Sequence, residues 1–309
     1  MRVVVIGAGV TGLSCAVRLA EAGYDVGVLA RDLPAETTSS VAAAVWYPYL
    51  VSPPERVAAW SAATYSEFAR LARETDTVRM RTGSEYLVEP AAEPWWADAV
   101  PRLRRITPPV GFADGWSFTS PVVEMSGYLP YLVGRLEAAG GTLTRVTLDE
   151  LPNQADVVVN CTGLGARHLA GDPAVTPVRG QVVYLRQPGL TEWLIADQGA
   201  RGLTYVVPRK HDVVVGGTSE PGEWDVHPTA ETSDVILGRA VELVPALRGA
   251  ELLGHRVGLR PARPSIRCEA VRADGLLTVH CYGHGGAGVT VSWGCADEVL
   301  QYVRAAGSG

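Results

Sequence analysis

Two arginines stand three residues apart in VGLRPARP, residues 257–264 of a chain whose formal net charge is −6. A guanidinium is a planar fork of N–H donors that pairs both oxygens of a carboxylate at once, so Arg260 and Arg263 are candidates for holding an anion. Arg260 follows the apolar run VGL and precedes Pro261, which lacks an N–H and fixes φ, a stiff place for a long side chain. The second chemical signal is glycine. Gly7, Gly9 and Gly12 spell G-x-G-x-x-G around Val10 and Thr11, directly after RVVVI. Gly7 suits a tight turn, Gly9 the close approach of backbone to a pyrophosphate, and Gly12 the packing of helix on strand. The helix that follows points N–H donors and a positive dipole at phosphate. These residues are therefore the expected dinucleotide site.

Arg31 and Asp32 follow the next β-rich run, DVGVLA. Asp32 suits ribose hydroxyls and Arg31 a 2′-phosphate, so this motif alone leaves FAD and NADP open. Near the other end, Gly283, Gly285, Gly286 and Gly288 again separate a β-rich run from a helical one. A glycine turn at each end could wrap one extended ligand, which suits FAD better. No Ser-His-Asp or HExxH arrangement is present. His168, His211, His227, His255 and His280 show no ligand spacing. The five cysteines form no CxxC pair and read as reduced thiols with no metal site, in a cytoplasmic protein.

The elements that must position these residues follow from periodicity. Residues 2–6 read as a buried parallel strand, and Leu13, Ala16, Val17 and Ala20 mark a helix stopped by Gly23. Residues 56–74 read as an amphipathic helix, and 127–143 as a helix, a glycine stop and a short strand. A strand is expected in 155–166, with further β-runs at 181–186, 203–208, 212–218 and 277–281 and a helix from about Thr290. The stretch 79–125 reads as proline-rich with short β-runs. ETTSSVAAAVWYPYL, residues 36–50, either lets a flat ring lie close to backbone or caps a core helix at Thr38 or Ser39. Trp46 is a candidate pocket residue. At 309 residues, 47% of them hydrophobic and 19% charged, the chain is globular and long enough for two cores. The acidic balance argues against nucleic acid, and no apolar run is long enough to span a bilayer. The apolar run at the N-terminus is too short for a signal peptide, and AAGSG at the other end matches no anchor.

Taken in order, VIGAGVTGL, TTSSVAAAVWYPYL, VVNCTG, PVRGQ, TYVVPR, VGLRPARP and YGHGGAGVTVSWGCA resemble the D-amino-acid oxidases, FAD enzymes of a wider group with glycine and sarcosine oxidases. The resemblance covers nearly the whole chain. It implies an α/β fold: a Rossmann-like FAD-binding domain (1–75, 126–176 and 261–309) interleaved with a sheet-rich substrate-binding domain (76–125 and 177–260). It implies non-covalent FAD, with Gly7, Gly9 and Gly12 on the pyrophosphate, Thr38, Ser39, Ala43, Ala44 and Val45 along the ribityl chain and flavin, and Val146, Thr162 and Gly163 by the adenosine. His284, Gly285, Gly286, Ala287, Gly288, Val289 and Thr290 would edge the flavin. Tyr205 and Arg260 would grip a substrate carboxylate, and the Gly286 carbonyl the amino group. The implied partners are a D-amino acid, preferably neutral, and O2; a homodimer stays open. The activity implied is oxidative deamination to a 2-oxo acid, ammonia and peroxide. A glycine- or sarcosine-type amine oxidase or dehydrogenase, and an FAD-binding protein without turnover, are the alternatives. The resemblance is broken at Arg31, where animal members carry an acidic residue; at the short stretch DQGARGLTYVVP, where Arg201 stands near an absent lid tyrosine; and at Tyr47, where some relatives carry an amide.

Overall fold

The computed structural model describes residues 1–48, 51–273 and 275–307; Tyr49 and Leu50, the last two residues of the TTSSVAAAVWYPYL motif, lie outside them. Parallel strands come first. Leu276–His284, Val157–Asn160, Arg2–Ile6, Asp25–Ala30 and Thr142–Arg145 lie side by side in that order, all parallel. Their alternate residues serve two cores. Val3, Val5, Val157 and Val159 meet the helices Val10–Glu21, Met125–Ala138 and Gly288–Gly307, and Val4, Ile6 and Val158 close a smaller cluster on the other face. Burial on both faces is why VVVI and VVVN are apolar without alternation.

The rest of the sheet is mostly antiparallel. Thr176–Arg186 pairs with Asp212–Gly216, which leads through Leu203–Pro208 and Trp193–Asp197 to Val78–Leu87 and Asp114–Val123. Fourteen strands join in one sheet among the described residues. Its hinge is the 22-residue strand Leu252–Ala273. From Leu252 to Ala262 it pairs with Thr176–Arg186, and from Ala262 onward with Leu276–His284. Pro261 and Pro264 sit at this change of partner, where the register shifts between Ala262 and Arg267. A strand tolerates proline at such an irregularity because a ladder N–H is already missing there.

Several expectations change. The stretch 79–125 is built on two ten-residue strands, the first starting at Val78, in continuous register from Val78↔Val123 to Leu87↔Asp114. Gly83 interrupts the first strand's pattern because the Trp193 ring lies on it: a Cβ there would stand 2.1 Å from that ring. The helix Ala230–Leu243, absent from the sequence reading, is capped by Thr229, whose side chain accepts from the Thr232 N–H. Thr38–Val41 forms one 3-10 turn instead of the start of a core helix, and the chain then leads on to a bridge of Val45 to Val122. Trp46 does not face a pocket. It is fully buried, donates from Nε1 to the Ser61 carbonyl at 3.0 Å, and meets Tyr65 and Trp96 edge-on. No helix among the described residues is long and apolar enough to cross a membrane.

Helix Gly288–Gly307 meets helix Pro54–Leu71 so closely that a Cβ at Gly294 would lie 2.3 Å from the Trp60 Cα. Gly294→Ala is expected to cost about 1–3 kcal/mol through overpacking. The check is a lower urea midpoint at fixed cofactor concentration, with Gly134→Ala, which meets nothing within 4 Å, as the control.

Candidate active site

A cavity of about 1280 Å³ runs from the first glycine turn to the second. At the first turn Gly7 has φ +108°, and a Cβ there would lie 2.5 Å from the Cys161 carbonyl oxygen. A Cβ at Gly12 would stand 2.0 Å from the Gly7 carbonyl oxygen, so helix Val10–Glu21 can press onto its own turn only through glycine. The Ser39 hydroxyl accepts from the Val10 N–H at 3.0 Å and lies against Gly9. The helix N-terminus therefore faces the cavity with its N–H donors, the Val10 N–H held by Ser39.

Arg31 and Asp32 both line this end, joined by a two-pronged contact of 3.1 and 2.6 Å. Val146, Thr162 and Gly163 border it, with Thr162 fixed by Asn160, whose Oδ1 accepts from the Thr162 hydroxyl at 2.7 Å. Thr38, Ala43, Ala44 and Val45 line the middle. Ala44 has φ +59°, the one described non-glycine residue in the left-handed region, held there by Val123 N–H donating to its carbonyl at 2.9 Å. At the far end His284, Gly285, Gly286, Gly288, Val289 and Thr290 line the wall, whereas Ala287 is wholly buried behind it. The Thr290 hydroxyl ties this turn to the backbone N–H and carbonyl of Tyr47, both at 3.1 Å.

Arg260 and Tyr205 converge on the same cavity. Both rest on missing side chains. A Cβ on Gly180 would lie 2.3 Å from the Arg260 guanidinium, and one on Gly216 would lie 2.2 Å from the Tyr205 hydroxyl. The Arg260 fork donates to the Thr218 carbonyl at 3.1 Å, meets the Tyr205 hydroxyl, and forms no ion pair among the described residues. Arg263 is different: it donates to Asp172 at 3.0 Å and to the Ser265 carbonyl at 2.9 Å, and it lies outside the cavity. Burial pushes the Tyr205 hydroxyl above its ordinary pKa, opposed by the charge of Arg260. It therefore remains a donor at neutral pH.

Further residues complete the pocket, among them two glycines to which the sequence assigned no role. Gly180 sits within PVRGQ and Gly216 closes DVVVG, but only cross-strand register reveals what each makes room for. Tyr47 lines the cavity and donates to Glu85, a carboxyl 6% exposed whose pKa burial raises. Arg201 and Arg239 also line it. Arg201 pairs with Glu242 at 2.6 Å, and Arg239 donates to the carbonyls of Arg201 and Gly217.

The residues present fit FAD. Two glycine turns, each opening a long helix, face one cavity larger than a single small-molecule site needs, and a Cβ at Gly7 or Gly12 would collide with the backbone that shapes the first turn. Comparison agrees. A profile of the family described as FAD dependent oxidoreductase matches residues 2–302. The D-amino-acid oxidase of Rubrobacter xylanophilus is 49% identical, covering 99% of this chain and 96% of that one. That of Streptomyces coelicolor is 42% identical, covering 97% and 95%. The human D-aspartate oxidase is 37% identical, covering 98% and 94%. Among solved structures, glycine oxidase from Geobacillus kaustophilus superposes with a TM-score of 0.82 at 21% identity, covering 98% and 95%, a likeness of fold.

Gly12→Ala is expected to purify nearly free of flavin, because its methyl would displace the turn that must meet the pyrophosphate. Flavin released on denaturation, compared per chain with the unsubstituted protein, checks this. A full complement of flavin would contradict it.

Proposed function

The chain belongs to the FAD-dependent oxidoreductase family that includes the D-amino-acid oxidases, and we propose how its cavity carries out that oxidation. The reaction is D-amino acid, O2 and water giving a 2-oxo acid, ammonia and hydrogen peroxide. Non-covalently bound FAD supplies the acceptor for the Cα hydride and the electron path to dioxygen.

The chain's own residues bind and orient. Arg260 takes the substrate α-carboxylate with the part of its fork that Thr218 leaves open. Tyr205 adds a hydroxyl donor to the same carboxylate. The Gly286 carbonyl accepts from the substrate amine. With carboxylate and amine both fixed, one enantiomer alone directs its Cα–H along the cavity, so orientation provides rate and stereospecificity together. No side-chain acid or base is needed. The imino acid product leaves and is hydrolysed in water. The observation that carries this reading is a cavity-facing guanidinium with no carboxylate of its own, beside one that is already paired.

Neutral side chains are favoured in this reading. Val45, Tyr47 and Ile195 line the pocket, and the two nearby cations are committed elsewhere, Arg201 to Glu242 and Arg239 to backbone carbonyls. A substrate side-chain carboxylate would lose water without gaining a free partner. The proposed cofactor half is 1–75, 126–176 and 261–309, and the substrate half is 76–125 and 177–260; the change of strand partner at Ala262 supports that division. Five free, buried thiols support a reducing, cytoplasmic setting.

Loss of one partner of a buried charge-assisted pair costs about 2–5 kcal/mol, or roughly 30- to 4,000-fold in kcat/KM at about 1.4 kcal/mol per decade. Arg260→Ala should lose that much on D-alanine with flavin retained, Arg260→Lys should recover part, and Arg263→Ala should lose far less. Gly180→Ala should follow Arg260→Ala in direction, because its methyl would occupy the guanidinium's seat. Near-normal kinetics for Arg260→Ala, or a larger loss for Arg263→Ala, would overturn the assignment. D-Alanine should also exceed D-glutamate in kcat/KM; the reverse order, abolished by Arg201→Ala, would contradict the neutral pocket.

A further inference from the structure

All five cysteines of the chain converge although four lie in separate helices and strands and Cys161 just past a fifth element. Cys15, Cys161 and Cys281 place their three sulfurs within 4.8 Å of one another, and Cys281, Cys295 and the His284 imidazole form a second such group. Cys268 faces Cys281 across antiparallel strands. All are free and buried. Small apolar packing accounts for most of this cluster, but not for where two of its members lie. Cys161 and Cys281 line the cavity, and Cys161, at 9% exposure, is the cysteine with the most surface open to it.

Strand register makes these two a pair. Val157–Asn160 runs parallel to Leu276–His284 from Leu277↔Val157 to His280↔Asn160, and one step further sets Cys281 beside Cys161. Cys161 still belongs to the ladder, donating its N–H to the Ile6 carbonyl at 2.9 Å. Asn160 and His280 meet on one face, Nδ2 to Nδ1 at 3.3 Å, so alternation sends both cysteines to the opposite face together. Adjacent strands lie about 4.7–4.9 Å apart, within the roughly 4.4–6.8 Å between Cα atoms that a disulfide spans. Cys15 and Cys268 are as near in space, but neither lines the cavity.

We propose that Cys161 and Cys281 form a peroxide-driven disulfide in the floor of the cavity. The Cys161 sulfur attacks one oxygen of hydrogen peroxide and the O–O bond breaks, giving a sulfenic acid and water. The Cys281 sulfur then attacks that sulfur, and the S–O bond breaks with loss of a second water. Two thiols are oxidised, one peroxide is reduced, and both thiol protons end in water. The product carries no charge, which the surrounding apolar core tolerates, and it ties together the ends of the two strands that lead into Thr162-Gly163 and the second glycine turn. The peroxide source rests on the oxidase reading above; the chemistry of the pair does not.

The test treats holoenzyme with added hydrogen peroxide and no amino acid, then blocks thiols and maps peptides without reduction. The expected result is a peptide pair joined through Cys161 and Cys281, with three of the five thiols still free. Cys161→Ala should abolish the cross-link, and Cys15→Ala should leave it. Five free thiols, or a cross-link through Cys15 or Cys268, would overturn the proposal. A parallel sample turning over D-alanine should form the same cross-link, suppressed by catalase. A cross-link with added peroxide but none during turnover upholds the pair and counts against the oxidase reading.

Discussion

A guanidinium with no carboxylate of its own organises one end of the cavity. Leaving such a charge unpaired in a cavity is costly, and the chain keeps it there by fixing everything around it. Arg260 lies on Gly180 where any side chain would displace it, holds the Thr218 carbonyl, and hangs from the stretch of strand Leu252–Ala273 that ends in Pro261. Tyr205 is placed in the same way over Gly216, its cross-strand partner. Two glycines thus set two donors side by side, and an anion that satisfies both gains what the protein lacks without it.

The first glycine turn solves a related problem with backbone in place of side chains. Gly7 and Gly12 let turn, helix and the Cys161 segment meet at distances no Cβ permits. The donors of helix Val10–Glu21 are then left facing the cavity. The two ends of the cavity are joined along one strand. Leu252–Ala273 begins against Thr176–Arg186, beside the Arg260 seat, and ends against Leu276–His284, which leads into the second glycine turn. On the proposed reading, a substrate held by Arg260 and a cofactor edged by the second glycine turn would be registered to each other through continuous sheet, not through a loop.

Much of this was legible in the sequence where a residue type has one physical use. The first glycine turn, its strand and helix, and the stiff setting of Arg260 could be read because glycine spacing and proline geometry are local. The long pair Val78–Leu87 and Asp114–Val123 was hidden because Gly83 breaks the alternation to admit Trp193, a residue 110 positions away by number. Trp46 was misplaced for a similar reason: an aromatic beside pocket residues Val45 and Tyr47 alternates to the opposite side, into Tyr65 and Trp96. The roles of Gly180 and Gly216 and the meeting of five cysteines depend on strand register, which composition and spacing do not encode.

The central claim is that this cavity selects a D-amino acid by holding carboxylate and amine at once. Its most direct test is flavin reduction in the absence of oxygen, followed as bleaching of the yellow holoenzyme after mixing with D-alanine, L-alanine, glycine or sarcosine. Without oxygen the measurement reads substrate oxidation alone, whatever the later acceptor. D-Alanine should bleach the flavin fully and far faster than the other three. Equal or faster bleaching by glycine or sarcosine, or by L-alanine, would contradict the account.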